Sequence, residues 1–252
     1  MPDSTTPPRM PRFRQRSAKM AELVARQIVE DIVEQRLSPG AGLPSEGPML
    51  EQYGVARGTL REALRILENN GLVRVRPGRG GGPIVGSADP YNFGRTMTLF
   101  LQMARTQFWE LVEARVIMEP MMARLAATRR EEGRLDELAK AMQEHKSLET
   151  RDQAHYLSVV QSFHGVIAGM SGNGVLDLFG RALKEIYTER VIAAERPPAR
   201  WAEVRREHEA VAEAIFDGDG ERAEELMRTH MVELAAGFER SYAALSKEII
   251  GW

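Results

Sequence analysis

The chain has 252 residues and no cysteine. That excludes a disulfide framework, a thiolate nucleophile and a thiolate metal site, and it makes a reducing cytoplasm the expected compartment. No run reaches the roughly 18 apolar residues that a membrane span requires. The polar, proline-containing start MPDSTTPPRMPRFRQRS lacks the apolar centre of a secretion signal. No membrane partner is therefore expected. Beyond the first ninety or so residues the alternating pattern of strands is almost missing, and no solenoid period recurs. What remains is a chain long enough for two modest domains, with 43% hydrophobic residues to fill their cores.

The net charge of −2 conceals an asymmetry. Residues 1–86 carry 13 Lys and Arg against 9 Asp and Glu, whereas the remainder carries 21 against 27. A basic first part beside an acidic second part suits a protein whose first part meets a polyanion. Residues 1–16 read as a disordered basic arm, with Arg9, Arg12, Arg14 and Arg16 followed by Lys19 and no acid among them. Such an arm is either plainly solvated or follows phosphates in a salt-dependent way.

From Ser17 the period becomes helical, with Leu23, Ile28, Ile32, Val33 and Leu37 on one side, until Ser38-Pro39-Gly40 stops it. Ser45 is an N-cap candidate for a second short helix that turns at Gly54. A third helix places Leu60, Ala63, Leu64 and Leu67 on one face and Arg57, Arg61 and Arg65 on the other. Asn70-Gly71 ends it. Val73–Arg76 alternates as a strand, Pro77–Gly82 turns, and Ile84-Val85 closes a hairpin. Helix, turn, helix and hairpin over residues 17–86 make a winged helix-turn-helix. Residues 87–90 form a linker. Helical segments then follow near 91–104, 106–129, 133–149, 153–171, 174–195, 200–216 and 219–247, separated by glycine, proline and Asn/Asp-Gly stops. The fold class is thus mainly α: a winged domain, then an all-helical bundle over 91–247.

A helix-turn-helix lays its second helix in the major groove. Arg57 and Arg61 project from the first turns of that helix, and a guanidinium can fork onto a guanine edge or contact phosphate. Gly58 permits close approach, and Thr59 offers a hydroxyl donor. In the wing, Arg79 with Gly80, Gly81 and Gly82 forms a thin tip able to enter a minor groove. In the bundle, His164, His208 and His230 each fall on the apolar stripe of a different helix. One such histidine is usually an ordinary core residue. Three can converge on a divalent metal, such as zinc, with a position left open. Arg115 also lies on an apolar stripe and cannot stay unpaired there. It either pairs with Glu119 one turn on or forks onto a ligand carboxylate.

Residues 17–86 resemble the DNA-binding domain of the GntR superfamily of bacterial transcription regulators. The resemblance rests on Leu43-Pro44-Ser45-Glu46, Tyr53-Gly54-Val55-Ala56-Arg57, Leu60-Arg61-Glu62-Ala63-Leu64, Leu67-Glu68, Gly71-Leu72-Val73 and Gly78-Arg79-Gly80-Gly81. It implies operator contacts by Arg57, Thr59, Arg61 and the wing glycines. It also implies an arginine after Leu-Pro-Ser-Glu, where this chain has Gly47. Residues 91–240 resemble the FCD effector domain of the FadR-like branch, through Glu110–Arg115, Glu119, Leu125-Ala126-Ala127, Phe163-His164, Ser171-Gly172-Asn173, Glu207-His208 and Thr229-His230. That resemblance implies an effector site including Arg115, Asn173, His164, His208 and His230. It also implies a metal, often zinc, held by an aspartate and three histidines. The aspartate's place is Val160 here, so either His164, His208 and His230 hold the metal with water or effector, or the effector binds without metal.

The expected protein is a ligand-responsive transcription regulator, a repressor, bound as a homodimer to a palindromic double-stranded DNA operator. A small organic acid or acyl compound in the bundle is expected to release it. The alternatives are a metal-dependent hydrolase using the three histidines, with no general base identified, and a DNA-packaging protein without sequence preference.

Overall fold

The computed structural model describes residues 12–78, 81–87, 89–130, 132–147, 153–193 and 201–251. The chain divides after Asn92 into two compact units.

The first unit contains α1 (Arg12–Glu34), α2 (Glu46–Tyr53), α3 (Arg57–Asn69), β1 (Val73–Arg76) and β2 (Gly82–Val85). Helix α1 starts at Arg12, inside the stretch read as a disordered arm. No glycine or proline interrupts the chain between Pro11 and Pro39, so nothing stops the helix from extending back. Residues 1–11, the rest of that arm, lie outside the described residues. The buried face of α1 also differs from the one read by hydrophobicity. Ala21, Val24, Ala25 and Ile28 pack against Leu60, Ala63 and Leu67 of α3, while Leu23 and Val33 are 50% and 68% exposed. The alanines share the helical spacing of Ile28 and let the two helices approach closely.

Gly54 closes α2 in the left-handed conformation at φ 61°, its N–H donating to the Leu50 carbonyl. Ser45 has the extended backbone of an N-cap but makes no side-chain cap bond. Helix α3 ends at Asn70, whose side-chain amide donates to the Ile66 carbonyl at 2.8 Å. The wing is an antiparallel pair in the register Val73↔Val85 to Arg76↔Gly82. Residues 40–43 edge it as a third extended segment, through Gly40 N to Val85 O at 2.8 Å, Val85 N to Ala41 O at 2.9 Å and Leu43 N to Pro83 O at 2.9 Å. Sequence reading took that segment only as a helix stop.

The second unit contains most of α4 (Pro90–Met103), then α5 (Phe108–Arg129), α6 (Glu132–Lys146), α7 (Gln153–Met170), α8 (Gly174–Ala193), α9 (Trp201–Asp217), α10 (Gly220–Ser241) and the short α11 (Ala243–Ser246). Helix α5 is the central element, packed along α10 and flanked by α7, α8 and α9. Its start is held by a reciprocal cap between Gln107 and Glu110. Residues near the C-terminus add to it: Phe108 N donates to Glu248 O and Ile250 N to Thr106 O, both at 2.9 Å.

Two apolar clusters fill this bundle. One gathers Met122, Ala126, Leu138, Phe163, Ile167 and Met227, the other Phe108, Leu111, Tyr156, Val160, Tyr187 and Phe238. Along α5, Arg115 and Glu119 fall where one cluster gives way to the other, and both are buried.

Candidate functional site

The first unit presents a polar helix face beside its wing. Arg57, Gly58 and Arg61 are exposed and Thr59 is half-buried, because Leu60, Ala63, Leu64 and Leu67 commit the opposite side of α3 to the core. A Cβ at Gly58 would meet nothing within 4 Å, so the helix start is open to a backbone approaching from outside. The Arg61 guanidinium forks onto Glu46, with Nε at 3.1 Å and Nη2 at 3.3 Å. Exposed pairs of this kind are worth at most about 1 kcal/mol, so a phosphate can displace the carboxylate cheaply. A recess between α3 and the wing is lined by Arg61, Arg65, Arg76, Gly78 and Gly81. Gly81 is required there, since a Cβ would lie 2.2 Å from the Arg76 carbonyl oxygen. Arg79 and Gly80, the remaining predicted wing contacts, lie outside the described residues.

In the second unit, α7, α9 and α10 bring His164, His208 and His230 together, with one ring nitrogen from each within 4.8 Å of the others. All three are buried. Glu119 accepts from Arg115 Nε at 2.6 Å on one oxygen and meets His164 Nδ1 with the other. Glu207 meets His230 Nδ1 at 2.7 Å. A carboxylate at Nδ1 holds the Nδ1–H tautomer and leaves the Nε2 lone pair directed away from it. His164 Nε2 is buried with no partner among the described residues, and His208 Nε2 lies 3.2 Å from His230 Nε2. Phe163 stacks on His208 with ring centroids 4.0 Å apart. This is a donor set that fits a divalent metal: three imidazoles, two of them backed by carboxylates, in a buried cluster.

The electrostatics agree with that geometry. Burial pushes the His164 imidazole down to about 4, against the opposing pull of Glu119. Burial, then the neighbouring imidazoles, holds His208 well below its ordinary value. Burial alone would raise the Glu119 carboxyl, but Arg115 and His164 overcome it and hold it at about 2. A cavity of about 330 Å³ adjoins the cluster, with His230 and Gln161 in its lining beside Val160, Tyr187, Leu234 and Phe238.

Sequence models of two families match the chain. "Bacterial regulatory proteins, gntR family" matches residues 20–81, and the FCD domain matches residues 110–233. The chain belongs to the GntR family, in its FCD-domain branch. It is a DNA-binding transcription regulator with an FCD effector domain. Among similar proteins are the transcriptional repressor NanR of Enterobacter sp. (strain 638), 27% identical over 86% of this chain and 85% of the relative, and the transcriptional regulator LutR of Bacillus subtilis, 26% identical over 79% and 91%. A solved structure, Streptococcus agalactiae GntR, superposes with a TM-score of 0.68 at 24% identity, over 86% of this chain and 99% of that one, a likeness of fold.

For this GntR-family regulator the hydrolase alternative finds no support in the family matches. The carboxylates nearest the imidazoles, Glu119 and Glu207, are both engaged with an imidazole Nδ1. Of the residues predicted for the effector site, His164, His208 and His230 converge, and Arg115 joins them through Glu119. Arg115 takes both the pairing with Glu119 and a second bond to Gln161, and it is not among the cavity's lining residues. Asn173 does not join the cluster. Its Oδ1 accepts from Val175 N at 3.0 Å and Leu176 N at 3.3 Å, which caps the start of α8. Val160 is buried in the cavity wall, so no carboxylate occupies that place.

Sequence reading missed a fourth buried imidazole. His145 of α6 lies with its ring 5.0 Å from that of His208, and burial lowers it to about 4. The signal was available, since Leu138, Ala141, Met142 and His145 share one helical stripe. It also missed Glu207 and Gln161 as partners, because those pairings join separate helices.

Proposed function

We propose that the protein is a ligand-responsive repressor that binds a palindromic operator as a homodimer and is released by a small organic acid or acyl effector. The reading face is Arg57, Gly58, Thr59 and Arg61, with Arg79, Gly80 and Gly81 of the wing. A twofold dimer matches two half-sites by symmetry. Exposed apolar side chains support an association surface: Phe100 and Met103 on α4 are 70% and 85% exposed, and Ile117 on α5 is 67% exposed. The name of the NanR relative supports repression as the sense of the response. The absence of any described helix long and apolar enough to cross a membrane is consistent with a cytoplasmic site of action.

The observation that carries the effector reading is the convergence of three buried imidazoles beside an apolar cavity. His164, His208 and His230 would hold a divalent metal such as zinc, with Glu119 and Glu207 fixing two of the rings. When bound, the metal supplies a positive centre for an acidic effector. The effector changes DNA affinity only by binding the DNA-free state more tightly than the DNA-bound one. Metal analysis of protein purified without chelator, with His208→Ala as control, tests the centre. Stoichiometric metal in the wild type and its loss in the variant are expected. Absence of metal from both would remove the metal from the proposal. Operator binding with and without added acids tests the response.

A further inference from the structure

The cavity's inner polar surface is built differently from what Arg115 alone suggests. A guanidinium has only donors, and Arg115 Nη2 lies 3.1 Å from Gln161 Oε1. The carbonyl end of the Gln161 amide is therefore turned to Arg115, and its NH2 end is the one left for the cavity that Gln161 lines. The arrangement is held from behind. Arg115 is fixed by Glu119 at 2.6 Å and lies 4.6 Å over the Tyr187 ring, and Gln161 is itself only 2% exposed.

The rest of the wall is mostly hydrocarbon. Most of it comes from Leu157, Val160, Val191, Val204, Leu234 and Phe238, interrupted by the hydroxyl-bearing Tyr156, Tyr187, Ser241 and Tyr242, and the charge of Glu207 is engaged by His230. Exposed Glu233 and Arg240 mark the solvent end. At about 330 Å³ the cavity is near the lower end of small-molecule sites, roughly 300–1,000 Å³. Over that mostly apolar area a hydrocarbon ligand body is favoured, whereas a second carboxylate there would give up its hydration.

We propose that Gln161 donates to the effector's carboxylate, with Arg115 as the residue that positions it, and that the effector is a monocarboxylic acid with a branched or aromatic hydrocarbon body. This rests on the acid-responsive reading above and narrows it. A positioned amide donor to a charged oxygen is worth about a 10- to 100-fold change in affinity.

The test is calorimetric titration of the full chain with phenylacetate and isovalerate as probes, against citrate and lactate. Phenylacetate and isovalerate are expected to bind more tightly than the other two. Gln161→Glu keeps an oxygen for Arg115 but replaces the donor with a negative oxygen, and should weaken phenylacetate binding at least 10-fold. Gln161→Met removes the donor without adding charge and should weaken it in the same direction, which covers the case of a poorly folded first variant. Unchanged phenylacetate binding in a folded variant overturns the assignment of Gln161. A preference for citrate or lactate overturns the ligand class and leaves the acid-responsive reading standing. No response to any acid, in protein that still binds its operator, overturns both.

Discussion

Replacing Arg115 by methionine removes the guanidinium while keeping most of the side chain's length. The residue is 2% exposed and supplies the 2.6 Å partner of Glu119. Its loss leaves a carboxylate buried with one fewer counter-charge, for which the expected cost is about 3–5 kcal/mol. In a unit of this size that corresponds to a fall in melting temperature of about 6–20 °C. All three tryptophans, Trp109, Trp201 and Trp252, lie beyond Asn92, so tryptophan fluorescence follows the second unit alone. A pH series adds an independent check. Glu119 is held at about 2 in the fold, below its ordinary value of 4.5. It therefore contributes stability that is present above the ordinary value and lost as pH falls towards 2. In Arg115→Met, burial is no longer opposed by the guanidinium, the carboxyl rises, and acidification neutralises the orphaned charge. The gap between wild type and variant should then narrow as pH falls from 7 to 4. The double variant Arg115→Met/Glu119→Gln should recover part of the loss, a coupling of about 2 kcal/mol or more. A drop under about 2 °C, or strictly additive effects in the double variant, refutes a buried, mutually dependent pair.

Arg57→Ala should weaken operator binding by about 1–3 kcal/mol if the guanidinium reads a base edge, measured by fluorescence anisotropy at fixed salt. Unchanged binding removes Arg57 from the reading face. Glu46→Ala frees the exposed Arg61 guanidinium and should leave stability within about 1 kcal/mol while DNA affinity holds or rises. Weaker DNA binding would show that the pair presents Arg61 rather than restraining it. Gly54→Ala forces a side chain into the left-handed turn at φ 61° and should destabilise the first unit by about 1 kcal/mol, read by chemical denaturation. His145 and His164 sit at about 4 in the fold, below the ordinary 6.5, so their contribution is complete above 6.5 and declines as pH drops towards 4. A melting temperature that is flat across that window contradicts the buried, neutral imidazoles.

The helices and the wing were legible because period, stop residues and turn glycines are local signals. Gly54, Asn70-Gly71 and Gly172 each end a helix where their backbone freedom predicts. The convergence of His164, His208 and His230 was legible too, since each lies on the apolar stripe of its own helix. What local pattern could not supply was partnership across helices. Glu207 reads as one more surface acid on α9 until its contact with His230 of α10 is seen. Gln161, next to Val160 in the chain, gains its meaning only from Arg115 on α5. On α1, large residues misled: Leu23 and Val33 look like core, but the alanines Ala21 and Ala25 take the close approach to α3. Asn173 was carried into the effector site by resemblance, and its local hydrogen bonds return it to a helix cap.

The pairing of residues 248–250 with residues 106–108 sets the order in which this protein can be made. Ile250 is fully buried, and its N–H and the Glu248 carbonyl complete the entry to α5, the helix on which the bundle is packed. The first unit depends on contacts among residues that leave the ribosome early, so it can form while synthesis continues. The effector unit cannot close its central helix until residues 248–250 have emerged. During translation there is accordingly an interval in which a folded DNA-reading domain precedes a sensor that is not yet complete. A chain cut short ahead of Glu248 would keep the reader and lose the part that governs it.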